Sequence, residues 1–178
     1  MTPIRPIAVL LAVALLVTVA VVAITSAPHG QAPQSADLGV GQPVPNIVGT
    51  TLDGAAFDLV ALRGKPVVIN FWKPTCVPCR EEFPFLAAKA TEHAAAGLVI
   101  VGVMSDDPVE LARAFAAQYG SSWSSVIDQG GAIKAAWRVI AWPQTYFVDA
   151  TGVLRSIQIG EVTETVFERQ YAAISGGG

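Results

Sequence analysis

Residues 70–80 read Asn70-Phe71-Trp72-Lys73-Pro74-Thr75-Cys76-Val77-Pro78-Cys79-Arg80, and this stretch decides the fold. It holds the only two cysteines of the chain, separated by two residues. An apolar run precedes the pair, and a helical pattern follows it from Arg80. The first sulfur is therefore expected at a helix N-terminus, where backbone amides and the helix dipole stabilise a thiolate. The pattern predicts that Cys76 and Cys79 cycle between dithiol and disulfide, with Cys76 as the exposed nucleophile.

The composition fits one ordinary domain preceded by an apolar segment. The chain has 178 residues, of which 52% are hydrophobic, and a net charge of -3. Because no cluster of Lys and Arg is present, nucleic-acid binding is set aside. Residues Ile7 to Ile24 are apolar apart from one threonine and are long enough to cross a bilayer as a helix. Arg5 precedes them and the next basic residue is Arg63, so the positive-inside rule places the domain outside the cytoplasm.

The apolar segment has a rival interpretation as a cleaved signal peptide. Thr25-Ser26-Ala27 resembles a small-residue cleavage site. An uncleaved anchor is favoured, because the apolar run exceeds a usual signal core and Pro28 would follow the cut. The predicted organisation is an anchor or signal at 1–27, a flexible linker at 28–42, a folded domain at 43–175 and a tail at 176–178.

Within the domain, short β-prone runs alternate with helical patterns. Asp53-Gly54 predicts a hairpin, and residues 67–72 predict a central strand that is buried on both faces. Further predicted strands are 98–104, 126–128, 144–149 and 153–159, and the predicted helices are 79–96, 107–119, 133–137 and 163–174. Strands that alternate with helices and end in a hairpin and a helix imply a mixed sheet flanked by helices.

Several motifs, in this order, resemble one family. They are Asn70-Phe71-Trp72, the Cys-x-Pro-Cys pair, Glu82-x-Pro84, and Trp142-Pro143-Gln144-Thr145 leading into Tyr146-Phe147-Val148-Asp149. Together they resemble the membrane-anchored extracytoplasmic thioredoxin-like proteins, in the branch of TlpA, ResA and CcmG (also called DsbE). The resemblance covers residues 43–174. It implies an α/β thioredoxin fold with an extra N-terminal β-hairpin, a central mixed sheet flanked by helices, and one preceding transmembrane helix.

The resemblance also implies a function, that of a protein-disulfide reductase outside the cytoplasmic membrane. Cys76 would attack a substrate disulfide and Cys79 would resolve the mixed disulfide. The implied substrates are protein disulfides, commonly the haem-attachment cysteines of apocytochrome c during cytochrome c maturation. Electrons would come from a membrane donor of the CcdA/DsbD type. Pro143 would be cis, and Trp142 and Pro143 would contact the substrate.

Four residues are predicted to support the cysteine pair, namely Asn70, Trp72, Pro78 and Glu82. Pro78 restricts the turn and takes an early helical position where a missing N–H costs little. Asn70 stands where thioredoxins proper carry a buried Asp that helps to deprotonate the second cysteine. Asp106, Asp107 and Glu82 are the candidates to replace that carboxylate, although Glu82 is interpreted as a solvated or helix-start residue.

A second departure from the family lies at Thr75, where relatives usually have Trp, and the smaller side chain is expected to leave Cys76 more open. Away from the pair, His93 is interpreted as a surface residue. The carboxylates Glu161, Glu164 and Glu168 are interpreted as a solvated face.

No cofactor and no metal are predicted. A zinc site would need two further ligands beside the cysteines, and the histidines are His29, in the linker, and His93. A copper-delivery protein of the Sco type is disfavoured because it needs a wider cysteine spacing and a distal histidine. A peroxiredoxin-type peroxidase is disfavoured because it would want Thr at position 73. A thiol oxidant of the secreted Dsb type stays open, because direction depends on the relative stability of dithiol and disulfide.

Overall fold

The structure, a computed structural model, describes residues 38–176. The predicted anchor at residues 7–24 and most of the predicted linker lie outside this range. None of the helices within residues 38–176 has the length and apolar character needed to cross a bilayer.

A five-stranded mixed sheet forms the centre of the domain, and its strands lie side by side in the order 125–128, 99–105, 67–72, 144–148 and 154–159. The middle strand, β3 (Val67–Trp72), is buried along its whole length. It pairs in parallel with β4 (Val99–Ser105) and antiparallel with β6 (Gln144–Val148). β5 (Ser125–Asp128) and β7 (Leu154–Ile159) complete the two sides. The predicted central strand is confirmed, since a strand covered on both faces needs an apolar run.

Successive side chains of β3 point to opposite faces of the sheet and pack in different hydrophobic clusters on each face. Val67, Ile69 and Phe71 pack with Trp137 and Tyr146 on one face. Val68 and Trp72 pack on the other face, in clusters that hold the buried side of the first long helix. Because side chains repeat every two residues in a strand, the polar Asn70 lies on that second face, between Val68 and Trp72.

Four α-helices lie within the described residues: α1 (Val77–Glu92), α2 (Val109–Tyr119), α3 (Ala132–Ala136) and α4 (Glu164–Ser175). The sequence predicted that α1 would continue to residue 96. Instead it ends at Glu92, and a short 3₁₀ turn covers Ala94–Ala96. The chain then reverses at Gly97, whose φ of 82° is a conformation that glycine adopts readily.

The predicted N-terminal hairpin is confirmed, and the described residues that precede it also contact the domain. β1 (Val48–Thr50) and β2 (Ala56–Asp58) pair around the Asp53-Gly54 turn. The end of the predicted linker contacts the domain: Leu38 packs on the core, and the Gly41 N–H donates to the Leu154 carbonyl at 2.8 Å. Residues 38–42 are therefore part of the folded unit.

Candidate active site

Cys76 and Cys79 are joined by a disulfide at the N-terminus of α1. Cys76 is the N-cap residue, and the Cys79 N–H donates to Cys76 Sγ at 3.1 Å. Pro78 occupies an early position of the helix, where no backbone donor is needed. Cys79 is fully buried, whereas Cys76 is 7% exposed. Of the two cysteines, Cys76 is therefore the one that has surface exposed to solvent.

The disulfide packs in a cluster that contains three aromatic side chains, those of Trp72, Phe83 and Phe115. Trp72, at the end of β3, packs edge-on against Phe83 at 4.7 Å between ring centres and lies 5.0 Å from Phe115. Both cysteines belong to the same cluster. Trp72 fits because Gly102 of β4, the register partner of Asn70, has no side chain: a Cβ there would lie 2.8 Å from Trp72 Nε1. Trp72, which was predicted to support the cysteine pair, thus packs in the same cluster as the two cysteines.

The peptide bond between Trp142 and Pro143 is cis and lies immediately before β6. Since Gln144 pairs with Phe71, this turn sits at the end of β3 that leads into the cysteine pair. Trp142 is half-buried and packs against the cluster that holds both cysteines. The Nζ atoms of Lys73 and Lys134 lie 4.6 Å and 5.1 Å from the centre of its ring. The fold thereby brings Trp142 next to Lys73 and the cysteine cluster, which lie almost seventy positions earlier in the chain.

Glu82 is buried, so its interpretation as a solvated carboxylate is wrong. Only 3% of the residue is exposed, and its two oxygens accept from Asn70 Nδ2 at 2.8 Å and from the Val162 N–H at 2.9 Å. Burial raises the pKa of Glu82 to about 7, against the lowering effect of these two hydrogen bonds. Glu82 is buried because it lies on α1 about one helical turn after Cys79, where it faces Asn70 of β3.

The two other candidate carboxylates have different partners. Asp106 binds Lys134 Nζ at 2.7 Å, and Asp107 accepts from the backbone and side chain of Thr75. Glu82 is therefore the candidate that is buried beside Asn70. Sequence reasoning missed Thr145, whose Oγ1 accepts from Asn70 Nδ2 at 2.9 Å. The available signal was a polar residue in a strand that is buried on both faces, directly opposite Asn70.

Far from the cysteines, a buried lysine joins α1 to α4. Lys89 Nζ lies 2.7 Å from Glu92, 2.5 Å from Glu164 and 2.6 Å from Glu168. Glu164 and Glu168 keep 64% and 39% of their side chains exposed, as a solvated face would, but both also pair with the buried ammonium group of Lys89. The surface assignment of His93 is wrong: its side chain is 16% exposed, and its Nε2 lies 3.2 Å from Glu168 Oε1.

This same place has ligand atoms at metal-binding spacing. Within residues 38–176, the side chains of Glu92, His93 and Glu168 bring ligand atoms within 4.8 Å of one another. The ammonium group of Lys89 contacts two of these three residues. It thus supplies the positive charge that a cation would bring.

Comparisons with known proteins agree with this geometry. The AhpC/TSA family matches residues 40–157. The thioredoxin-like protein YneN of Bacillus subtilis is 35% identical over 132 residues, which are 73% of this chain and 77% of that protein. The thiol-disulfide oxidoreductase ResA of Bacillus thuringiensis is 31% identical over 129 residues, 72% of this chain and 75% of that protein.

A solved structure shows the same fold. It is that of a secreted disulfide oxidoreductase of Mycobacterium tuberculosis, described as homologous to DsbE of E. coli. The two chains superpose with a TM-score of 0.65 at 28% identity, covering 71% of this chain and 95% of the other. The chain therefore belongs to the AhpC/TSA family and, with its Cys76–Cys79 pair, to the thiol-disulfide oxidoreductases of the ResA and DsbE branch.

Proposed function

We propose that this chain reduces protein disulfides outside the cytoplasm, with Cys76 as the attacking residue and Cys79 as the resolving one. The observation that carries the proposal is the disulfide at the N-terminus of α1, in which the first cysteine is 7% exposed and the second is fully buried. A helix N-terminus favours the thiolate of Cys76 in the reduced form.

The exchange has two steps. The Cys76 thiolate attacks one sulfur of a substrate disulfide, which forms a mixed disulfide and releases the other substrate sulfur as a thiolate. Cys79 then loses its proton and attacks Cys76 Sγ, which releases the second substrate sulfur and restores the Cys76–Cys79 bond. Two electrons and two protons pass to the substrate, which leaves as a dithiol.

Glu82 is the proposed acceptor for the proton of Cys79. It is three residues further along α1, which places it on a neighbouring part of the same helix face. With a pKa of about 7, Glu82 can both accept and return a proton near neutral pH. Asn70 cannot take a proton, but it donates to Glu82 and so holds the carboxylate in place.

Trp142 and Pro143 are the proposed docking site for the substrate chain. Trp142 packs on the cluster that holds the cysteines. The Nζ atoms of Lys73 and Lys134 lie over its ring. In such a position an extended substrate segment can run beside the turn while its cysteine reaches Cys76.

The proposed location is the outer face of the cytoplasmic membrane, where residues 7–24 would anchor the domain. Support comes from the apolar sequence of that segment and from the secreted M. tuberculosis relative. An oxidising compartment holds no reducing buffer, so a membrane electron donor of the CcdA/DsbD type is required. The proposed substrate is the haem-attachment cysteine pair of apocytochrome c.

The test uses the reduced full chain and a peptide that carries an oxidised Cys-x-x-Cys-His segment. One molecule of peptide dithiol is expected per molecule of protein disulfide formed, as measured by mass spectrometry. Cys76→Ser should be inactive, and Cys79→Ser should accumulate a mixed disulfide at Cys76.

Two outcomes would contradict the proposal. If the reduced protein left the peptide oxidised while the oxidised protein oxidised the peptide dithiol, the chain would be an oxidant of the secreted Dsb type. If the mixed disulfide formed at Cys79 in the Cys76→Ser variant, the roles of the two cysteines would be reversed.

A further inference from the structure

A carboxylate from the loop after β4 binds the residue that precedes the nucleophile. The backbone N–H and the hydroxyl of Thr75 both donate to the same oxygen, Asp107 Oδ2, at 3.0 Å and 2.8 Å. Thr75 is exposed and Asp107 is half-buried. The two bonds join the loop between β3 and α1 to the loop between β4 and α2, 32 residues further along the chain.

Asp106, the residue before Asp107, has a different partner. Asp106 has a φ of 68°, which is uncommon for a residue other than glycine. Its carboxylate binds Lys134 of α3 at 2.7 Å and 2.9 Å. The charge of Asp106 is thus paired with a lysine. Among the described residues, by contrast, the bonds of Asp107 come from the uncharged donors of Thr75.

Two cations lie close to this loop. Lys73 Nζ is above the Trp142 ring at 4.6 Å, and Arg80 Nη2 of α1 is 3.4 Å from the Pro74 carbonyl oxygen. Their charges favour a thiolate on Cys76, as does the helix N-terminus. The charge of Asp107 has the opposite effect, because a carboxylate bound to the adjacent residue repels a negative sulfur.

We infer that Asp107 is a positioning residue that holds the nucleophile loop and disfavours the Cys76 thiolate, which keeps the cysteine pair a reductant. The inference rests on the proposed function. Within the turn at residues 73–76, the Cys76 N–H donates to the Lys73 carbonyl at 3.1 Å. The bonds from Thr75 to Asp107 then fix this turn to the loop after β4.

The link to redox direction follows from the charge of each state. The disulfide carries no charge, whereas the dithiol carries a negative charge once Cys76 ionises. Asp107 therefore raises the free energy of the ionised dithiol and leaves that of the disulfide unchanged. A less stable dithiol gives up its two electrons more readily, just as a stabilised one makes an oxidant.

The decisive variant is Asp107→Asn, because the amide oxygen still accepts both bonds from Thr75 while the charge is gone. In the reduced full chain, the pH dependence of iodoacetamide labelling should show a Cys76 pKa lower by about 0.5 to 1 unit. At a pH above that pKa, the equilibrium with glutathione should shift by up to about tenfold toward the dithiol, or about 30 mV.

Asp107→Ala tests positioning, since it removes the bonds as well as the charge. Its exchange rate with a protein disulfide should fall several-fold below that of Asp107→Asn at equal thiolate fraction. Glu110→Gln is the matched control, because it makes the same charge change at an exposed position of α2. It should change neither the Cys76 pKa nor the potential.

The inference is overturned if Asp107→Asn leaves both the labelling profile and the potential unchanged. It is equally overturned if Glu110→Gln shifts them as much, because the effect would then be one of overall charge. If the wild-type protein fails to exchange disulfides at all, the proposed function itself is contradicted, and this is seen before any variant is compared.

Discussion

Replacing Glu82 by Gln is expected to make the protein more stable at alkaline pH. Burial raises the pKa of Glu82 from its ordinary 4.5 to about 7, so the folded protein keeps a proton that the unfolded chain releases. The stability associated with this proton is fully present below pH 4.5 and is lost as the pH rises through about 7. A shift of this size corresponds to about 3 kcal/mol of unfolding free energy.

The variant should not lose the hydrogen bonds of the carboxylate. The oxygen of the new amide can still accept from the Val162 N–H. Its NH₂ group can donate to Asn70 Oδ1 once the Asn70 amide turns over, and that buried oxygen has no hydrogen-bond partner within residues 38–176. After this turn the Asn70 NH₂ group takes the place of the unpaired oxygen, and the Thr145 hydroxyl can donate to Oδ1 where it now accepts from Nδ2. The change therefore removes a charge while the number of unpaired polar groups on Asn70 stays at one.

The assay is urea unfolding of the oxidised full chain between pH 4.5 and 8, with Glu81→Gln as the exposed control on the same helix. At pH 4.5 all three proteins should have similar stability. At pH 8, Glu82→Gln should exceed the wild type by up to about 3 kcal/mol, and Glu81→Gln should follow the wild type. Parallel curves for Glu82→Gln and the wild type, or a less stable Glu82→Gln at pH 8, would refute the reasoning.

Three further substitutions test other contacts. Lys89→Met should lower the unfolding free energy by about 2 kcal/mol at pH 7, because the carboxylates around the buried ammonium lose their partner. The loss should be smaller at pH 4, and thermal melts at the two pH values measure the difference. Tyr146→Phe should cost about 2 kcal/mol in urea unfolding, because the buried hydroxyl bonds both the Trp137 carbonyl and Gln144 Nε2. Trp142→Ala should slow the reduction of a protein disulfide about tenfold but leave that of a small aromatic disulfide unchanged, since only the larger substrate uses the docking site; equal effects on both would contradict the docking role.

Much of the fold follows from the sequence because its signals are local. The apolar run of β3 predicted a strand covered on both faces, and the Asp53-Gly54 turn predicted the hairpin. The cysteine spacing and Pro78 predicted the N-terminus of α1. Each of these depends on residues that are neighbours in the chain.

The errors and omissions concern contacts between distant residues. Glu82 looks solvated in sequence because its burial depends on Asn70 and on the Val162 N–H, 80 residues away. The link from Thr75 to Asp107 joins two loops whose spacing is set only when β3 and β4 pair. Lys89 looks like an ordinary helix lysine, and its burial becomes visible only when α4 packs on α1.

The reduction potential of the Cys76–Cys79 pair tests the central claim most directly. It is measured on the full chain by equilibration with defined ratios of reduced and oxidised glutathione or dithiothreitol, followed by alkylation and mass spectrometry. A protein-disulfide reductase should have a potential close to the value of about -270 mV typical of thioredoxin. A potential of about -180 mV or higher, approaching the strong oxidants near -120 mV, would contradict the proposed direction of electron flow.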